Sequence, residues 1–280
     1  MIGCLGATRC GDRLLAWGER TYIMGIINMT PDSFSGDGLG VDLEAALARA
    51  RRFEAEGADI IDVGGESTRP GHKPISPEEE LRRVIPVIER LAGEVRVPIS
   101  VDTYKAPVAE RAVNAGARMI NDVWGLKQDP KVAEVAAKAG VPLVLMHNQE
   151  GTAYQDLLPD IIASLQHSID VALRAGVLRE NIIVDPGIGF GKTAEHNLEV
   201  LRRLRELRAL GRPILLGTSR KSTIGLVLDL PAKARLEGTG ATVAIGIANG
   251  ADMVRVHDVG AMVRVARMSD AIVRGWHRGS

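Results

Sequence analysis

A chain of 280 residues with 45% hydrophobic residues is long enough for one large α/β domain. Only 3% of residues are aromatic, so its core must be aliphatic. Lys plus Arg and Asp plus Glu both number 35, and this zero net charge excludes nucleic acid or an anionic membrane as the main partner.

Residues 1–20 precede a repeating pattern. Within them Arg13–Ala16 and the segment after Gly18-Glu19 are expected to form a hairpin that plugs the bottom of the fold. Short β-rich apolar runs then alternate with segments of helical period. Strands are predicted at Tyr22–Asn28, Asp59–Val63, Ile99–Asp102, Met119–Asp122, Pro142–Met146, Ile182–Asp185, Pro213–Gly217 and Met253–Val256. Helices are predicted between and after them, at Leu43–Glu56, Glu78–Leu91, Pro107–Ala115, Lys131–Ala139, Gln155–Ala175, Glu195–Leu210, Gly238–Asn249 and Ala261–Arg274. Continuously apolar strands such as Ile182-Ile183-Val184 suit a parallel sheet covered by helices. About eight βα units in a row, with no linker or second composition zone, predict a single-domain (β/α)8 TIM barrel over 1–280. A doubly wound open sheet is the alternative.

Barrels of this kind carry their active sites at the C-terminal ends of the strands. In this chain those ends are polar: Asn28, Asp62, Asp102, Asn121-Asp122, Met146-His147, Asp185, Ser219-Arg220-Lys221-Ser222 and Arg255-Val256-His257. Any one of them is explained by solvation of a loop, but a full ring is not. The cations Arg220, Lys221, Arg255 and His257 gather on the last two strands, where barrels often bind phosphate, and an Arg fork beside an imidazole suits a diphosphate. Asp102, Asn121 and Asp185 offer acceptors and an amide donor for a flat heterocycle, with Lys221 for its carbonyl. Direct metal binding by these carboxylates is the second choice, because their spacing matches no protein-only cage. The loops Thr30–Gly38 and Gly64–Gly71 mix Gly, Pro and polar residues, as lids do. Gly187–Thr193 is one residue short of a P-loop and follows the wrong strand. Cys4 and Cys10 fit no zinc or redox spacing and are expected to be reduced bystanders. The opening MIGCLGATRC lacks the features of a signal peptide, and no apolar run reaches the ~20 residues of a membrane span, so a cytoplasmic protein is expected.

From about Met24 to Val259 the sequence resembles the dihydropteroate synthases. The resemblance rests on Asn28-Met29-Thr30-Pro31-Asp32-Ser33-Phe34-Ser35, Gly64-Gly65-Glu66-Ser67-Thr68-Arg69-Pro70-Gly71, Ser100-Val101-Asp102-Thr103 and Ile120-Asn121-Asp122. It continues through Asp185-Pro186-Gly187-Ile188-Gly189-Phe190-Gly191-Lys192, Ser219-Arg220-Lys221-Ser222 and Arg255-Val256-His257. It implies condensation of 6-hydroxymethyl-7,8-dihydropterin diphosphate with p-aminobenzoate. It maps a pterin site onto Asp102, Asn121, Met146, Asp185 and Lys221, and a p-aminobenzoate site onto Phe34, Thr68, Arg69, Pro70, Phe190, Lys221 and Ser222. The diphosphate maps onto Asn28, Arg69, Arg255 and His257, with Mg²⁺ as cofactor on Asn28. Lys221, Arg255, His257 and Arg69 carry the catalytic roles. The resemblance also implies a homodimer, for which the last two helices with Met262 and Met268 are candidates, and a sulfonamide target. The first loop departs from the family pattern in placing its acid, Asp37, one position later. A pterin-binding methyltransferase module and a non-catalytic pterin-binding paralogue are the alternatives.

Overall fold

A computed structural model of the chain describes residues 5–29, 39–67 and 73–276. β1 (Ala7–Cys10) pairs antiparallel with β2 (Arg13–Ala16), and β3 (Tyr22–Asn28) follows. Thereafter strands and helices alternate: α1 (Leu39–Glu56), β4 (Ile60–Gly64), α2 (Pro77–Glu94), β5 (Ile99–Asp102), α3 (Ala106–Ala115), β6 (Met119–Asp122), α4 (Lys131–Ala139) and β7 (Leu143–Met146). The second half comprises α5 (Leu157–Arg174), β8 (Ile182–Asp185), α6 (Ala194–Arg202), β9 (Leu215–Leu216), α7 (Ser222–Leu228), α8 (Leu236–Ala248), β10 (Met253–Val256) and α9 (Val259–Val273).

The eight strands β3 to β10 form one parallel sheet in the order β8-β7-β6-β5-β4-β3-β10-β9. A parallel bridge from Val184 to Ile214 joins its two ends and closes the barrel. An open doubly wound sheet is thereby ruled out. Successive strand residues alternate between two environments. Ile61, Val63, Val101, Ile120, Leu143, Leu145, Ile182 and Val184 point outward and pack under the helices. Met24, Ile60, Met119, Val144, Ile183, Leu215 and Met253 point inward and fill the barrel's lower half. Both sets are aliphatic, which is why the strands lack a polar face.

The hairpin closes the bottom, as expected, but with a different partner strand. Arg13–Ala16 pairs with the segment before it, because Gly11, at φ +58, leads a two-residue turn. Leu15, Trp17 and Cys10 are buried against the inward residues. Trp17 meets Tyr22 edge-on, with ring centroids 5.3 Å apart, and donates from Nε1 to Thr8 Oγ1 at 2.8 Å. Burial pushes the Cys10 thiol up to about 12, so it is protonated and inert.

The long helix predicted over Glu195–Leu210 is two elements. α6 ends at Arg202, and Leu204–Leu210 continues as a 3₁₀ helix. Leu204, Leu207 and Leu210 are all buried, and their three-residue spacing brings them into line at the 3₁₀ period. α7 is an additional helix between β9 and α8.

Candidate active site

The inward-facing positions change character near the C-terminal ends of the strands. Above the aliphatic layer stand Asp62 on β4, Ser100 and Asp102 on β5, Asn121 on β6, Asp185 on β8 and Arg255 on β10. All except Arg255 are buried, and Arg255 is half-buried. Arg255 donates from Nε to Asp62 Oδ2 and from Nη2 to Asp102 Oδ2, each at 2.6 Å. Asn121 Nδ2 donates to the same Asp62 oxygen at 3.2 Å. One guanidinium cannot neutralise two buried carboxylates fully. Burial pushes Asp102 up to about 7, with Arg255 opposing and Asp62 adding to the rise. Among the described residues, Asp62 Oδ1, Asp102 Oδ1 and Ser100 Oγ are buried without a hydrogen-bond partner. Such orphaned acceptors at a cavity call for donors on a ligand.

Asp185 is anchored on the opposite wall, where its Oδ1 accepts from the Gly187 N–H at 2.7 Å. Burial raises its pKa as well, against that hydrogen bond and the charge of Lys221. Lys221 Nζ donates to the Ile188 carbonyl at 2.7 Å and lies 4.1 Å from the centre of the Phe190 ring. Burial lowers Lys221 to about 8, with Asp185 holding it up. Ile26, Val123, Met146, Ile188 and Phe190 line the same cavity as Asn121, Asp185, Lys221, Arg255 and His257. The result is an apolar slot with acceptors, an amide and an ammonium at its edges, fitted to a flat heterocycle.

His257 stands one inward position beyond Arg255. Its backbone N–H donates to Ser219 Oγ at 3.1 Å, and its Nδ1 lies 2.9 Å from the same oxygen. In the tautomer where that hydroxyl donates to Nδ1, Nε2–H is left to donate. Burial, followed by Arg255 and Arg220, lowers His257 to about 3, so it meets an incoming ligand as a neutral donor.

The structure thus brings together Asp102, Asn121, Met146, Asp185, Phe190, Lys221, Arg255 and His257. Other expected residues stand elsewhere. Arg220, at φ +57, forks onto Asp258 at 2.9 and 2.5 Å, a pairing that diverts it from any diphosphate. Ser222 is exposed at the first turn of α7 and does not line the cavity. Asn28 is half-buried at the end of β3 and does not line the slot. Phe34, Asp37, Thr68, Arg69 and Pro70 lie outside the described residues.

Three participants carried no assigned role in the sequence. Asp62 is one, and its signal was an acid inside the otherwise apolar run Ile60-Ile61-Asp62-Val63. Ser219, which orients His257, and Ile188, whose carbonyl holds Lys221, gave no signal beyond their neighbours. Lys192 is no phosphate-binding lysine: its ammonium turns back onto the carbonyls of Gly187 and Phe190 and onto His147.

A closed parallel barrel with this slot at its C-terminal mouth defines a pterin-binding enzyme, and the pterin binding enzyme family model matches residues 24–257. A curated dihydropteroate synthase from Bacillus subtilis is 56% identical over 267 residues, covering 95% of this chain and 94% of that protein. A crystal structure of dihydropteroate synthase from Clostridium difficile in the presence of pteroic acid superposes with a TM-score of 0.90. It is 56% identical and covers 92% of this chain and 98% of that one. Dihydropteroate synthase from Xanthomonas albilineans with 4-aminobenzoic acid gives a TM-score of 0.90 at 42% identity, covering 95% and 97% of the two chains. The chain belongs to the dihydropteroate synthase family: it is an enzyme, a transferase of folate biosynthesis, and the methyltransferase reading gives way.

Proposed function

We propose that the chain joins 6-hydroxymethyl-7,8-dihydropterin diphosphate to p-aminobenzoate, giving 7,8-dihydropteroate and diphosphate. The observation that carries this reading is the apolar slot lined by Asn121, Asp185 and Lys221, with Arg255 and His257 at its mouth and Asp102 hydrogen-bonded to Arg255. The carboxylates accept from the aminopyrimidinone edge of the pterin, Asn121 offers both a donor and an acceptor, and Lys221 donates to the ring carbonyl. The bond between the pterin methylene and the diphosphate oxygen breaks, and negative charge collects on the departing group. Arg255 and the Nε2–H of His257 meet that charge, and the sequence-based expectation adds Arg69. The amine of p-aminobenzoate then forms the C–N bond, loses its proton, and is held beside Phe190 and Lys221. Thr68, Pro70, Phe34 and Ser222 complete its site in the family-based expectation. Sulfonamides, as mimics of p-aminobenzoate, follow as competitors at the same place.

Mg²⁺ fits this arrangement as a partner of the diphosphate. Among the described residues no group of three or more His, Cys, Asp or Glu side chains could hold a metal ion. Mg²⁺ commonly takes few protein oxygens together with substrate phosphates and water. The Asn28 amide oxygen lies at the end of β3, the neighbour of the strand bearing Arg255. When bound, the ion would neutralise phosphate charge.

A homodimer is supported by the outer face of α8 and α9. Met268 and Ile272, one turn apart on α9, are exposed there, with Ile272 at 72%, and Leu236 at the start of α8 shares a groove with Met268. Met262, in contrast, is buried barrel cover. An apolar face of this kind suits a second copy, and a monomer by sedimentation would count against it. A cytoplasmic location is supported by the free, buried Cys10 and by the absence, among the described residues, of any helix long and apolar enough to cross a membrane. Cell fractionation tests it.

The site sets a pH dependence. Accepting from the pterin requires Asp102 ionised, and Asp102 stands at about 7. Donating to the pterin requires Lys221 protonated, and Lys221 stands at about 8. The carboxylate limb rises as pH increases through the first value, and the ammonium limb falls through the second. The expected kcat/KM for the pterin substrate is therefore a narrow bell with its maximum between those values. A flat profile between about pH 6 and 9 would contradict these protonation states.

A further inference from the structure

Beside the groups that meet the pterin, Lys192 and His147 form a buried polar pair that the proposed reaction leaves without a role. Lys192 is 9% exposed and His147 is 1% exposed. The three donors of the ammonium are matched by three acceptors: His147 Nδ1 at 2.9 Å, the Gly187 carbonyl at 3.1 Å and the Phe190 carbonyl at 3.0 Å. A buried cation is costly unless its hydrogen bonds are made, and here two of the three go to the loop between β8 and α6.

That loop has little shape of its own. Gly187, Gly189 and Gly191 have φ of +69, +82 and +55, conformations open to glycine. Gly187 also packs so closely on the His147 carbonyl that a Cβ would collide with it. Yet the loop sets much of one wall of the slot. The Gly187 N–H aims Asp185, the Ile188 carbonyl holds Lys221 Nζ, and the Phe190 ring lies under that ammonium. Tyr154 donates to the Gly191 carbonyl at 2.7 Å and Asn197 accepts from the Gly189 N–H at 2.8 Å, so Gly189 and Gly191 have other anchors. The carbonyls of Gly187 and Phe190, on either side of Gly189, are tied by Lys192.

We infer that Lys192 and His147 are positioning residues, a buried ammonium–imidazole clamp that fixes the glycine-rich loop so that Asp185, Phe190 and Lys221 meet the pterin together. His147 serves as an acceptor at Nδ1 and is therefore the Nε2–H tautomer. It is in turn fixed by its own N–H, which donates to the Asp185 carbonyl at 2.9 Å. The clamp thus links the ends of β7 and β8 to the loop that follows.

The inference rests on the pterin reading of the slot, and its test separates the two. Calorimetric titration with pteroic acid is run on the full chain and on Lys192→Met, His147→Leu and His147→Gln, each checked for folding by near-UV circular dichroism. Misplacing binding groups through a remote contact can cost about 100-fold. Lys192→Met and His147→Leu are expected to weaken binding by at least about tenfold. His147→Gln, which keeps an acceptor, is expected to restore most of the affinity. The ¹⁵N spectrum of the parent chain is expected to place the His147 proton on Nε2. Folded Lys192→Met that binds as tightly as the parent would overturn the clamp, and so would a proton on Nδ1. A parent chain that binds no pteroic acid would fail the pterin reading instead, and the tautomer would then decide the clamp.

Discussion

Arg255→Ala is expected to lose on the order of 10²- to 10³-fold in turnover and to melt well below the parent protein. The two effects have separate origins. Catalytically, the substitution removes the fork that meets charge on the departing diphosphate. Structurally, it removes the partner of Asp62 and Asp102, which Arg255 contacts at 2.6 Å each. Breaking a buried ion pair from one side costs about 3–5 kcal/mol, because the remaining charge is left uncompensated. Asp102, already standing at about 7, relieves part of that cost by taking a proton. The destabilisation is therefore smaller at acid than at alkaline pH. Thermal melts at two pH values, beside steady-state rates, check both parts. Arg255→Lys keeps the charge but cannot reach two carboxylates with one fork, so it should fall between.

Lys221→Met is expected to lose about 100-fold in kcat/KM for the pterin substrate while leaving stability unchanged or raising it. The contrast with Arg255 follows from the partners. Burial lowers the Lys221 pKa, and its hydrogen bond goes to one neutral carbonyl, that of Ile188. An apolar chain of similar length keeps the packing over Phe190 and sheds the desolvation cost. Function loses the donor to the pterin carbonyl and the cation over the ring. The alkaline fall in the pH profile should disappear with it, which rate measurements above about pH 8 will reveal. A large loss of stability in this variant would mean that Lys221 holds the barrel together, not the substrate.

Much of this was legible before any coordinates, for a physical reason. In a parallel barrel each strand is buried on both faces and all strand ends converge on one mouth, so a full ring of polar ends is not explained by solvation of single loops. Asp102, Asn121 and Asp185 were conspicuous on that account; Asn121 and Asp185 line the slot, and Asp102 is buried against Arg255, which lines it. Spacing of two along β10 likewise put Arg255 and His257 on one face. Pairing between side chains was not legible. Asp62 and Asp258 lie far in sequence from Arg255 and Arg220, respectively, or on another strand end, and only closure of the ring shows which cation meets which acid. The break after α6 was hidden because Leu204, Leu207 and Leu210 also satisfy a loose helical pattern. The hairpin partner differs from the expected one because Gly11, at φ +58, turns the chain two residues before Arg13, ahead of Gly18-Glu19.

The central claim is that the slot and its charged mouth perform one condensation. Product formation from 6-hydroxymethyl-7,8-dihydropterin diphosphate and p-aminobenzoate, followed as dihydropteroate and released diphosphate with and without Mg²⁺, tests it most directly. Equal amounts of the two products, dependent on Mg²⁺, are the expected result. Tight pterin binding with no turnover would contradict it and mark the chain as a non-catalytic pterin-binding protein.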